Sequence, residues 1–197
     1  MFWLFVPLGY LLGSLSAAII TCRLMGLPDP RSDGSGNPGA TNVLRLGGKK
    51  AAAATLIGDL LKGLLPVAAA QAVGAPEVVV AATALAAFLG HLYPVFFRFG
   101  GGKGVATAFG ALIALMPLLA GAVLATWLLV AAVARLSSLA ALVAAVLAPT
   151  YSWLLGATPG TTLLLSVLAL FLVWRHRGNI RNIAAGTEPR IGRKDGD

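Results

Sequence analysis

The chain has 197 residues, 58% of them hydrophobic and 11% charged, and a mean hydropathy of +0.86 that excludes an ordinary soluble domain. Fifteen Lys and Arg against seven Asp and Glu give a net charge of +8, which in so apolar a chain marks basic cytoplasmic loops rather than a nucleic-acid site. The single cysteine, Cys22, excludes a disulfide framework and a cysteine-based metal site.

Apolar runs predict seven spanning helices near 3–24, 53–73, 77–97, 105–116, 118–134, 139–155 and 161–174, an all-α polytopic membrane protein built as one integral domain over 1–197. The first run has no basic segment ahead of its apolar core and carries Arg23 after it. That polarity is wrong for a cleaved signal, so it reads as a retained span with its N-terminus outside. The fourth run, 12 residues long, reaches only about 18 Å and is a short or tilted helix. It is separated from the fifth by Met116-Pro117, where a proline ends or kinks a helix. With a break there, the basic segments 23–50, 98–103, Arg135 and the tail from Arg175 fall on one face, and the connections 74–76, 116–118 and 156–160 hold no Lys or Arg. The basic face is cytoplasmic, and so is the C-terminus. Alanine runs at 51–54 and 68–70 fit closely packed membrane helices.

Four polar segments interrupt this background, and all open to the cytoplasmic face. The first, Asp29 to Arg45, reads DPRSDGSGNPGATNVLR. It is either a flexible turn loop or a backbone nest in which Gly34, Gly36 and Gly39 take positive φ and turn successive amides toward a phosphate. Ser35 and Thr41 add hydroxyls, Asn37 and Asn42 add amides, and Arg45 offers a planar fork for phosphate. The second, Gly58 to Gly63, places Asp59 and Lys62 three residues apart inside a span, where they form an ion pair or orient a neighbouring site. The third runs from Gly90-His91 to Gly100-Gly101-Gly102-Lys103-Gly104. Four glycines and a lysine just ahead of a helix suit an anion, although the spacing is not that of a Walker loop. His91, about three turns earlier, is as much a buried structural histidine as a catalytic one. The fourth is the tail from Arg175 to Glu188, a basic patch for anionic lipid that also holds His176, Asn179 and Glu188. Ser137 and Ser138 stand at the start of the sixth span, where helix capping is the default role. No carboxylate pair or acid–histidine cluster is spaced to hold magnesium or zinc, so neither metal nor cofactor is expected. Neither a nucleophile elbow nor an HxxxxD acyltransferase motif occurs.

The strings GSGNPGATN with Arg45 downstream, GDLLKG, GHLYPVFFRFGGGKGVAT and RHRGNI with GTE resemble the PlsY family of bacterial acyl-phosphate:glycerol-3-phosphate acyltransferases, in order, from Ser14 to Glu188. The resemblance implies seven helices around a cytoplasm-facing site in the inner membrane. It implies transfer of an acyl group from fatty acyl phosphate to the 1-hydroxyl of glycerol-3-phosphate, with lysophosphatidic acid and phosphate as products. Ser35, Arg45, Lys103, His176 and Asn179 would be functional, the glycines around Lys103 would bind phosphate, Ser137 or Ser138 would contact glycerol-3-phosphate, and Glu188 would preserve the site. The partners implied are the two substrates, the membrane lipid and the enzyme that makes acyl phosphate; a monomer is compatible with all of this. One departure is the stretch Asn182-Ile183-Ala184-Ala185, where a more basic, leucine-rich segment is expected. Acyl phosphate carries a good leaving group, so the chemistry needs two phosphates and a hydroxyl held in line more than a strong acid. The base is His176 or a substrate phosphate oxygen. A transporter of a phosphorylated solute and a lipid-phosphate hydrolase are the rival readings, the first weakened because the polar groups gather on one face instead of crossing the membrane.

Overall fold

Small residues decide where the helices touch. Ala18, Ala51, Ala70, Ala84 and Ala87 are fully buried, whereas Leu129, Val133, Trp153 and Leu170 are each at least 66% exposed. Large apolar side chains facing outward are what a lipid solvent permits, and small ones at the contacts let helix backbones approach. The computed structural model describes residues 1–191; it is helical throughout, with no strand among them.

The chain divides into two compact units, Met1–Met116 and the remainder from Pro117. The first holds α1 (Phe5–Gly13), α2 (Ala17–Leu24), α3 (Ala40–Ala72), α4 (Glu77–Leu92) and α5 (Val105–Leu115). Here α1 packs on α4 and α3 on α5, and both crossings are made by paired glycines. A methyl on Gly13 would strike the Ala87 carbonyl and one on Gly90 the Tyr10 carbonyl; on Gly63 it would strike the Thr107 carbonyl, and on Gly110 the Leu60 carbonyl. The second unit holds α6 (Pro117–Ala134), α7 (Ser137–Leu154), α8 (Pro159–Arg175) and α9 (Arg177–Ala184), with α7 packed between α6 and α8.

Among the described residues, four single helices are long and apolar enough to span a bilayer, and two bent pairs bring the number to as many as six; α5 is a shorter apolar helix. The expected first span is broken rather than continuous. The segments before and after Ser14–Ser16 diverge by 41°, because Ser14 closes α1 by donating to the Tyr10 carbonyl (2.8 Å) and Ser16 caps α2 by accepting from the Ile19 amide (3.4 Å). The carbonyl of Leu15, left open by this break, accepts from Lys62 Nζ at 2.8 Å, so the lysine buried in α3 satisfies the broken backbone. The helix of the third span stops at Leu92, short of 97, since Pro94 disfavours helical geometry at Tyr93. The expected long loop from Asp29 is also shorter than its sequence implies. α3 already begins at Ala40, and Gly48, at φ 74° and ψ −170°, separates 40–47 from the membrane-spanning 49–72. Only glycine adopts that conformation readily, so one residue sets the angle between them. In the tail, the short helix α9 leaves α8 at 59°.

Candidate functional site

In the first unit the two glycine-rich loops lie side by side. Arg31 Nη1 donates to the Phe97 carbonyl at 3.4 Å, and a methyl on Gly102 would lie 2.9 Å from the Pro38 carbonyl. Segments more than sixty residues apart in sequence therefore present Ser35 and Lys103 from one end of the same helix group. Ser35, Thr41 and Arg45 are exposed, and Lys103 is half-buried.

The first loop is held by Asn42, which is 1% exposed. Its Oδ1 accepts from the Ser35 amide at 2.9 Å, and its Nδ2 donates to the carbonyls of Pro30 (2.9 Å) and Asp33 (3.0 Å). Gly34 (φ 62°) and Gly36 (φ 67°) adopt the positive φ expected of a nest. Gly39 does not; at φ −153° it is extended backbone at the N-cap of α3. Gly34 is further required because a side chain there would collide with Asn42 Oδ1. Asn42 thus shapes the loop, and Thr41 and Arg45 stand on a helical turn instead of a loop. Asn37 is half-buried between the nest and Pro38.

Sequence patterns passed over the clasp that fixes this loop. Arg31 pairs with Asp29 (Nη2 to Oδ2, 2.7 Å), whose Oδ1 also accepts from the Arg31 amide at 2.9 Å. The Arg31 hydrogen bond holds the Asp29 carboxyl below the usual carboxylate range. The clasp is therefore complete above that range and is lost only as pH falls through the lowered value. Replacement of Asp29 by Asn is expected to cost roughly threefold in kcat/KM, a modest loss because the pair is partly solvated. A pH profile should show that deficit constant from neutral pH down through the usual carboxylate range, shrinking only where the lowered wild-type carboxyl itself titrates.

The second loop follows a turn at Val95–Phe97, after which Arg98 (φ 54°) and Phe99 (φ 59°) are both left-handed. Phe96 and Phe99 are 57% and 59% exposed. Gly104, φ 84°, is the N-cap of α5, so Gly101, Gly102 and Lys103 lead directly into a helix N-terminus, as the sequence implies. A methyl on Gly101 would meet the His91 and Leu92 carbonyls, and one on Gly104 would meet Phe88. Asp59 and Lys62 form the expected ion pair at 2.8 Å within α3.

In the second unit, Glu188 Oε1 accepts from Ser138 Oγ at 2.5 Å and from Asn179 Nδ2 at 2.7 Å. Neither serine caps α7 through its side chain; Leu136 is the N-cap, and Ser138 is turned to Glu188 instead. The tail beyond Glu188 is tied by the Ile191 amide to the Arg135 carbonyl (2.7 Å) and by Arg135 Nη2 to the Ile191 carbonyl (3.2 Å). His176, 3% exposed, sits at the bend between α8 and α9 with Nδ1 2.8 Å from the Leu172 carbonyl. A carbonyl can only accept, so Nδ1 carries the proton and Nε2 is the basic nitrogen. Arg177 stacks on Trp174 at 4.9 Å.

A family profile described as Glycerol-3-phosphate acyltransferase matches residues 3–186. A glycerol-3-phosphate acyltransferase of Thioalkalivibrio sulfidiphilus is 59% identical over 94% of this chain and 91% of its own. One from Methylobacillus flagellatus is 57% identical over 96% and 97%. A crystal structure of PlsY (YgiH), an integral membrane glycerol 3-phosphate acyltransferase in its glycerol 3-phosphate form, superposes with a TM-score of 0.91 at 39% identity, covering 96% of this chain and 94% of that one. The lysophosphatidic acid form superposes at 0.89. The length of the match, the identity across it and the agreement in three dimensions make this chain a member of the glycerol-3-phosphate acyltransferase family.

Proposed function

We infer that this integral membrane glycerol-3-phosphate acyltransferase draws its acyl group from a fatty acyl phosphate and passes it to the 1-hydroxyl of glycerol-3-phosphate. The observation that carries this reading is the pairing of two glycine-rich loops at one end of the first unit, with Ser35 on one and Lys103 on the other. A helix N-terminus, a cation and a tight positive-φ turn there suit a phosphate. The exposed rings of Phe96 and Phe99 beside that loop suit a phosphate that bears an acyl chain. The loop of Gly101, Gly102, Lys103 and Gly104 accordingly takes the acyl phosphate, with Gly34, Gly36, Asn37, Gly39 and Thr41 lining the adjoining turn. Arg45 and Lys103 offset phosphate charge, and Asn42 keeps the Ser35 turn in shape.

The glycerol-3-phosphate hydroxyl attacks the acyl carbonyl, the carbon–oxygen bond to phosphate breaks, and inorganic phosphate leaves with the electron pair. The hydroxyl proton passes to His176 Nε2 or to a phosphate oxygen of the substrate. Glu188 holds Asn179 and Ser138 in place, which leaves Ser137 as the serine that meets the acceptor. In the membrane, the bent first pair, α3, α4, the short α5, α6, α7 and α8 make seven spans of one integral domain, N-terminus outside and C-terminus cytoplasmic, in a bacterial inner membrane. The sorting of basic residues onto one face supports that topology. The enzyme that makes acyl phosphate is its functional partner.

Purified protein given palmitoyl phosphate and glycerol-3-phosphate is expected to form lysophosphatidic acid. Absence of product from folded protein at saturating acceptor would reject the reading, and phosphate release that needs no acceptor would favour a hydrolase. Because cations of the chain serve in place of a metal, EDTA is expected to leave the rate unchanged; a large loss on chelation would reveal a metal requirement.

A further inference from the structure

Beneath the second glycine loop lies a buried polar chain that the reaction itself does not use. Asp59, Lys62, His91 and Thr107 are 3%, 7%, 6% and 0% exposed. Lys62 Nζ is 2.8 Å from Asp59 Oδ1 and donates to the Leu15 carbonyl at the α1–α2 break, also at 2.8 Å. The same Asp59 oxygen lies 3.5 Å from His91 Nδ1, and Thr107 Oγ1 lies 3.1 Å from that nitrogen. The other side of the ring meets the loop. His91 Nε2 occupies the place where a methyl on Gly102 would go, and the Gly102 amide donates to the His91 carbonyl at 3.2 Å.

A buried ion pair that served only to hold helices together would cost desolvation and could be replaced by apolar packing. This one has a directional consequence, because its last member touches the residue next to Lys103. With Nδ1 held by Thr107 on α5 and Asp59 on α3, the imidazole plane is fixed from two helices. Gly102 rests on that ring and is pinned to the same residue's carbonyl. We propose that His91, braced by Asp59 and Thr107, is a positioning residue that sets the glycine loop and so aims Lys103 and the loop amides at the bound phosphate. The inference rests on the acyl-phosphate reading of that loop. It also explains why a glycine is needed at 102: any Cβ would displace the ring.

The test uses the full chain purified in detergent, with three measurements: kcat and KM for palmitoyl phosphate, the Kd for inorganic phosphate by calorimetry, and the melting midpoint. His91→Ala and Gly102→Ala are each expected to raise KM and the phosphate Kd by about tenfold, the scale of one misdirected hydrogen bond to a charged group. The double variant should be no worse than the poorer single one, because both changes act on a single contact. Thr107→Val, which keeps shape and removes only the hydroxyl, is the variant that keeps the test alive if the others fail to fold. It should raise KM and the phosphate Kd by about threefold at an unchanged melting midpoint. Wild-type KM and phosphate Kd in His91→Ala or Thr107→Val would overturn the inference, as would defects that multiply in the double variant or a wild type that binds no phosphate. If the wild type binds phosphate yet forms no lysophosphatidic acid, the acyltransferase reading falls and the phosphate measurements still decide the role of His91.

Discussion

Lys103→Ala is expected to lower kcat/KM for palmitoyl phosphate by about a thousandfold, the upper range for loss of one preorganised group that stabilises developing charge. The size follows from where the lysine stands. It is half-buried, directly before the N-cap of α5, between two buried glycines at a helix N-terminus. An alanine there removes a cation and leaves the helix dipole alone against a phosphate dianion. The melting midpoint should stay near that of the wild type, because the residue fills no helix crossing. Lys103→Arg should recover only part of the loss, since a planar fork does not reproduce a compact ammonium in a tight turn. Turnover near normal in the alanine variant would take the glycine loop out of the mechanism.

Gly110→Val is expected to destabilise the protein by roughly 2–3 kcal/mol or more, the range for forcing bulk into a packed crossing. A Cβ at this position would run into the Leu60 carbonyl and the Leu64 amide, which are backbone and cannot rotate away. Its counterpart Gly63 faces the Thr107 carbonyl in the same manner, so α3 and α5 cannot slide apart at one point without opening the other. Loss of that crossing also moves Thr107 away from His91, and activity should fall with stability. Gly121→Val is the control: a Cβ at Gly121 meets nothing within 4 Å, and thermal melting should scarcely change. Equal melting of the two variants would mean that the α3–α5 contact is not what holds the first unit together.

The runs of apolar residues were readable to within a few positions: 118–134 became Pro117–Ala134, 139–155 became Ser137–Leu154, and the short fourth helix became Val105–Leu115. Bilayer thickness sets the length of such runs, and prolines mark where they stop. The polar segments were legible as composition but not as shape. Asn42 reads as one more loop amide until its three partners in the loop are seen. The serines that open α7 read as caps, yet Ser138 serves a glutamate fifty residues later.

By itself the sequence determined that this chain lives in a membrane, where most of its apolar helices run, how its charges are spaced along the chain and which family its motifs resemble. Each of these depends on local hydropathy, on charge along the chain or on short ordered strings. Only the tertiary structure decided that the Ser35 and Lys103 loops adjoin, that Lys62 satisfies the break after α1, and that His91 lies under Gly102. Those facts depend on how closely two helices cross, and glycine pairs far apart in sequence set that distance.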